Sequence, residues 1–310
     1  MTQNLRSLLA QLADTGSRLP VRELHLLSDM PSAAAAAFEE AWPGIDLYRR
    51  REIMRHLAEI CQTDFSVDFV PIALLGIRDE DEQVRLAALD TFWDAEAPEL
   101  ISPLLGLLNH DAAVAVQASA ALALGQFVMM GELGELPVAA FEALTDDLLT
   151  VLNDGERALL VRCRALEALA AAGRSEIPEL IRDAYASGEE TLKISAVAAM
   201  GRTADRRWEP IVVAELASVN PSMRYQATRA AGMIALEAAL PSLMDLLDDP
   251  DPEVMTASIW ALGEIGGDEA RRALEPLLDD DEIAGLVQDA LDAMDLMTGT
   301  PSFDRYSAGT

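Results

Sequence analysis

The 310 residues exceed one ordinary domain core and suffice for about two globular domains or one repeat array. With 23 basic against 53 acidic side chains the net charge is −30, which repels phosphate backbones and argues against nucleic acid as a partner. A hydrophobic share of 51% excludes a disordered acidic tail, and no stretch approaches the roughly 20 uninterrupted apolar residues of a membrane span.

Aromatics make up 5% of the chain, and period-two runs of β-branched residues are missing, so nearly all of it is expected to be helical. The opening MTQNLRSLLAQLADTGSRLP lacks a basic segment followed by an apolar run and a cleavage site, as expected of a cytoplasmic protein. Residues 1–44 predict three short helices, in LRSLLAQLA, VRELHLLSD and PSAAAAAFEEAWPG, with Ser28, Asp29 and Pro31 marking a start. They are expected to form a helical cap, with Trp42 packed into its junction with the following segment.

From residue 49 a ten-residue window recurs: apolar, basic, any, any, small, apolar, any, small, apolar, small. Clear copies are VQASAALALG at Val116, LKISAVAAMG at Leu192, MRYQATRAAG at Met223 and VMTASIWALG at Val254. VRLAALDTFW at Val84 and VRCRALEALA at Val161 fit well, and RRREIMRHLA at Arg49 and LVQDALDAMD at Leu286 are degenerate end copies. The intervals run 35, 32, 45, 31, 31, 31 and 32, so a unit of about 31 residues repeats. The first, fifth, eighth and ninth positions share one helix face. The fifth is small at Ala88, Ala120, Ala165, Ala196, Ala227, Ser258 and Ala290, which lets a neighbouring helix approach closely.

A second apolar helix lies between windows, in PELISPLLGLL at Pro98, IPELIRDAY at Ile177, EPIVVAELA at Glu209, ALPSLMDLL at Ala239 and RRALEPLL at Arg271. Acidic turns join the two helices, RDEDEQ at Arg78, NHDAA at Asn109 and DPDPE at Asp249, where Asp caps the next helix. One helix pair cannot bury its apolar face, whereas stacked pairs bury a continuous core.

Proline in the first helix, Asp in the turn and then Val-Arg-x-x-Ala-x-x-Ala-Leu-Gly resembles HEAT repeats, most of all the short bacterial variety also called phycobilisome-lyase-type HEAT-like repeats. The resemblance covers residues 45–297 and implies an all-α, right-handed solenoid of helix pairs, after the cap at 1–44 and before a tail at 298–310. It further implies that the window helices line a concave side and that turn Asp and helix Arg form a ladder between repeats. The basic ladder position holds Arg50, Arg85, Arg162, Lys193 and Arg224 and lapses at Gln117, Met255 and Val287. These cations are read as ties between neighbours rather than as an anion track. The tail is read as frayed, against docking through Phe303 and Tyr306.

Chemistry is sparse. HEAT-like iron hydroxylases use paired His-Glu steps as ligands, but here His25, His56 and His110 precede Leu26, Leu57 and Asp111. CxxC pairs, HExxH, GxSxG and GxGxxG do not occur. GEIGGD at Gly263 is read as a helix end and turn, and DDPD at Asp248 and DDDE at Asp279 as capping turns without a calcium loop. Cys61 and Cys163 are expected to be reduced structural thiols; Cys163, beside Arg162 and Arg164, occupies a potentially exposed window position. The expectation is a non-enzyme with no catalytic residues, no metal and no cofactor. HEAT-like DNA glycosylases need a basic concave surface, whereas residues 208–310 carry 5 basic and 20 acidic side chains.

The function expected is a non-catalytic scaffold or adaptor holding a protein or peptide in the concave groove. The alternative is an accessory or chaperone-like subunit of an enzyme system related to HEAT-like bilin lyases. The acidity is read first as a solvated face, then as a dock for a basic partner or as salt adaptation. The third, fourth and seventh window positions face away from the buried stripe. On them Trp260 falls beside Arg229, with Tyr225 one turn earlier and Gln226 next to it, and Arg164 and Glu167 extend the row. Trp, Tyr and Arg are frequent interface anchors. The interval of 45 marks an insert in FVMMGELGELPVAAFEA at Phe127, read either as an apolar binding loop bearing Met129, Met130, Leu133 and Leu136 or as an extended, packed helix pair.

Overall fold

A computed structural model describes residues 3–14, 16–64, 66–92 and 95–298, and among these all regular structure is helical. The chain divides into two compact units, Met1–Ala168 and Leu169–Thr310. The first unit holds α1 (Gln3–Ala13), a 3-10 turn at Val21–Leu27, α2 (Ser32–Ala41), α3 (Leu47–Cys61), α4 (Val70–Gly76), α5 (Glu82–Asp90), α6 (Ile101–His110), α7 (Val114–Glu132), α8 (Val138–Asn153) and α9 (Leu159–Leu169), which ends at the boundary. The second holds α10 (Ile177–Ala186), α11 (Glu190–Arg202), α12 (Glu209–Glu215), α13 (Pro221–Ile234), α14 (Leu240–Asp245), α15 (Pro252–Ile265), α16 (Gly267–Leu274) and α17 (Ala284–Thr298). The protein is thus an all-α solenoid of HEAT-like helix pairs, the eight windows falling on α3 and every second helix thereafter. Phe303 and Tyr306 lie outside the described residues.

Helix starts follow the turn chemistry. The side chain of Asp46 accepts from the N–H of Tyr48, Asp81 from Gln83 and Val84, Asn220 from Ser222 and Asp251 from Glu253. Each satisfies N–H groups that have no partner inside the helix. Before α2, however, Ser28 does not cap: its hydroxyl accepts from the N–H of Asp68, and Pro31 stands at the helix start. Around it Leu24, Leu27, Phe38 and Trp42 are buried. The Trp42 indole N–H donates to Asp79 at 2.7 Å, which fixes the ring in the position expected of it.

The small positions are where neighbouring helices touch. The fifth-position residues Ala88, Ala120, Ala165, Ala196, Ala227 and Ser258 are fully buried, and the Ser258 hydroxyl is satisfied by donating to the Leu243 carbonyl. The tenth-position glycines are pressed against the next window helix. A Cβ on Gly201 would lie 2.7 Å from the Ala230 Cα, and one on Gly232 3.0 Å from the Ala261 Cα. In the last repeat Gly263 meets Ala290 instead, while Val287 is fully buried and Leu286 exposed. The final window therefore begins at Ile283, three residues earlier than the sequence pattern predicts. There Val287 takes the fifth position and Ala290 the eighth.

The ladder is real but shorter than expected. Arg50 pairs with Asp79 at 2.7 Å, Arg85 binds Asp111 through two hydrogen bonds of 2.8 Å, and Arg224 binds Asp249 at 2.7 and 2.8 Å. The Arg224 guanidinium holds the Asp249 carboxyl below the usual carboxylate range. Lys193 reaches Glu215 of α12 rather than a turn carboxylate. Partial burial pushes Glu215 up, but hydrogen bonds from Lys193 and Tyr185 bring it down further, to a net lowering. Arg162 donates to the Leu152 carbonyl and meets no carboxylate among the described residues.

The insert lengthens both of its helices instead of forming a loop. α7 spans 19 residues and α8 16, with Gly134 at φ +80° turning the chain between them. A Cβ on Gly131 would lie 2.2 Å from the Phe141 ring, so the two extensions are tightly opposed. Met130 and Leu136 are buried there, and Met129 and Leu133 are exposed. By length and hydropathy α7 could also cross a bilayer, contrary to the reading that no stretch approaches a span. Here that apolarity buries Val116, Ala120, Leu124 and Phe127 against α5, α6 and α8.

Candidate functional site

In the second unit α13 and α15 pack side by side, and their window positions place Arg229 over Trp260 as the spacing predicts. The guanidinium carbon sits 3.7 Å from the indole centroid, a stack worth roughly 0.5–2 kcal/mol. The indole also lies across Gly232, where a Cβ would come within 2.5 Å of the ring. The half-buried ring is thereby held between a glycine and a cation. Tyr225 and Gln226 are half-buried one turn earlier on α13, and neither side chain has a hydrogen-bond partner among the described residues.

Among the described residues, Arg229 is the half-buried arginine that has neither a hydrogen bond nor an ion pair. Half-buried arginines such as Arg51, Arg85, Arg162 and Arg224 are by contrast hydrogen-bonded. The stack thus brings together an aromatic ring, a cation and two polar side chains, residue types that include frequent interface anchors.

The remaining predicted residues lie in the first unit. Arg164 binds Glu167 through contacts of 2.7 and 2.6 Å along α9. Glu167 is only 3% exposed, so its carboxylate does not face solvent as the row pattern expects. Cys163 is buried as well, at 1% exposure, which corrects the reading that its position is exposed. On α9 the third and seventh positions therefore turn inward.

A place that the residue-type argument missed is a cavity of about 660 Å³ between α3, α5 and α7. It is lined by third-, fourth- and seventh-position residues, among them Arg55, Leu86, Ala87 and Asp90, together with Tyr48, which is 72% exposed. The seventh-position row already contained Arg55 and Asp90; Tyr48 stands just before its window and escaped the pattern.

The histidines are apart. His25 lies 3.8 Å from Asp64, His56 lies 2.7 Å from Glu59, and among the described residues no group of three His, Cys, Asp and Glu side chains is placed to hold a metal ion. GEIGGD forms the predicted turn: Gly266 at φ +72° ends α15 and Gly267 at φ +91° begins α16, conformations that glycine adopts without strain.

Comparison with known families matches residues 209–295 to HEAT repeats. The complex of CpcE and CpcF of phycocyanin lyase from Nostoc is similar in structure, with a TM-score of 0.57 at 15% identity, over 92% of this chain and 97% of that one. Human deoxyhypusine hydroxylase is also similar, with a TM-score of 0.38 at 23% identity, over 85% of this chain and 96% of that one. The likeness to the lyase complex, at 15% identity, is one of fold alone. Among curated proteins the chain has no match.

Proposed function

We propose, from the premise that this chain is a HEAT-like repeat protein, that it works as a non-catalytic scaffold or adaptor holding a protein or peptide segment in the groove lined by its window helices. The observation that carries this reading is the Arg229–Trp260 stack with its unbonded guanidinium donors. A ring fixed between Gly232 and Arg229 loses little conformational freedom when a partner covers it, so contact there costs less entropy than contact with a mobile side chain. Tyr225 and Gln226 add a hydroxyl and an amide beside it, and Arg164, with Glu167 behind it, is a second candidate contact in the first unit.

Co-purification from native cells with tagged chain tests the proposal. Arg229→Glu combined with Trp260→Ala is expected to lose the partner that the unaltered chain retains, with helical content and melting temperature preserved. Equal recovery by a folded double variant removes the groove reading. The alternative, an accessory or chaperone-like subunit of a lyase system, would be supported by a chromophore in the purified protein, visible in its absorption spectrum.

A further inference from the structure

The insert between the windows at Val116 and Val161 gives the first unit an apolar surface that its own packing leaves uncovered. α7 spans 19 residues, against 13 or 14 in α11, α13 and α15. α8 spans 16, against 6 to 10 in α6, α10, α12 and α14. The extra turns close in an ordered way. The N–H of Gly134 donates to the Gly131 carbonyl and that of Glu135 to the Met130 carbonyl, ending α7 around a left-handed glycine, and Leu136 is buried behind them. The flanking side chains are not buried: Leu133 is 67% exposed and Val138 71%. Met129, one turn before Leu133 on the same face of α7, is exposed as well. Single exposed apolar side chains are ordinary, whereas three around one turn have the pattern of a contact surface.

The charge around this patch selects what covers it. Glu135 stands between Leu133 and Val138, and Glu142 lies one turn after Val138 on α8. Both are exposed, and neither carboxylate has a hydrogen bond or ion pair among the described residues. No Arg or Lys occurs between Arg85 and Arg157, in a chain that carries 23 of them, so no such cation of α6, α7 or α8 offsets these acids. A second copy of the chain seated here would set like charges against each other, and an anionic lipid surface would meet the same repulsion. A basic protein segment gains on both counts, covering the apolar side chains and pairing with the carboxylates. We propose that the α7–α8 turn docks an apolar segment of a protein partner that is flanked by lysine or arginine, with Met129, Leu133 and Val138 against its apolar side chains and Glu135 and Glu142 against its charges. The inference goes beyond the Arg229–Trp260 reading, because it concerns another surface in the other unit and names the chemistry of what binds.

The test is selection of a random-peptide display library on the full chain, counter-selected on a Leu133→Gln, Val138→Gln variant. Both positions are exposed, so the variant is expected to keep the parent's melting temperature. Enriched peptides are expected to combine at least two large apolar residues with a net positive charge. A synthetic copy of one is expected to shift the methyl NMR signals of Met129, Leu133 and Val138, and to bind the counter-selection variant at least tenfold more weakly. Glu135→Gln with Glu142→Gln is expected to weaken it at least fivefold and to flatten its salt dependence. The double variant at Arg229 and Trp260 is expected to bind it unchanged, which separates failure of this inference from failure of the groove reading. No enrichment over the counter-selection, enriched peptides without a basic excess, or equal affinity for the folded Leu133→Gln, Val138→Gln variant would overturn it. So would a dimer of the chain in sedimentation, or attachment to phosphatidylglycerol vesicles, that the same variant abolishes.

Discussion

The two units stack helices with a different mix of contacts. In the second, glycine at the tenth window position meets alanine of the next window helix at Gly201–Ala230, Gly232–Ala261 and Gly263–Ala290, and in the first the same contact occurs at Gly125–Ala168. In the first, the largest fully buried side chains include Phe38, Phe69, Phe92 and Phe127, and charged pairs such as Arg50–Asp79 and Arg85–Asp111 tie successive repeats. The glycine–alanine contact is kept whatever the interval: a Cβ on Gly125 would lie 3.1 Å from the Ala168 Cα across the interval of 45, much as one on Gly232 would lie 3.0 Å from the Ala261 Cα across an interval of 31.

The sharpest way to break this contrast is Gly201→Ala. The added Cβ meets the Ala230 backbone at 2.7 Å, and a loss of about 3 kcal/mol is expected by urea denaturation. Next is the ladder. Arg224→Met leaves Asp249 without its partner in a site where that side chain is 4% exposed, and a cost of about 2 kcal/mol is expected, between those of exposed and buried pairs. Because the Asp249 carboxyl is lowered by Arg224, this stabilisation is present above the ordinary carboxylate pKa and is lost as pH falls through the folded value. The gap between variant and parent is thus expected to close in strong acid, and a gap of constant size from pH 7 to pH 2 contradicts the assignment. Arg162→Met removes only a bond to a carbonyl and should cost about 1 kcal/mol with no such pH dependence. The smallest effect has the opposite sign. Gly106→Ala within α6, where a Cβ meets nothing within 4 Å, is expected to stabilise the protein by about 0.7 kcal/mol, so that one substitution type changes sign between the two units.

Those contrasts also explain what was legible beforehand. Helix pairs, acidic caps and buried alanines can be read from the sequence because each depends on residues close together in it. Arg229 and Trp260 were legible for a similar reason: two successive copies of one 31-residue pattern place them side by side. The last window was misplaced by three residues because Val287 and Leu286 are equally apolar in the sequence, and only the contact of Gly263 with Ala290 separates them. Arg162 was counted as a ladder member from its own window, although a rung also needs a carboxylate five residues before the next one, where Ser187 stands. Burial of Cys163 and Glu167 depends on how α9 is packed, which its own residues do not specify. The cavity beside Asp90 is a space between three helices, and no single window contains it.

The central claim is that the window helices, and Trp260 above all, meet the partner. Hydrogen exchange of the full chain with and without its co-purified partner tests this directly. Protection is expected over residues 225–233 of α13 and 256–264 of α15, with α12 and α14 unchanged. Protection confined to α12 and α14, with the Arg229–Trp260 segment exchanging as in the free chain, would contradict it.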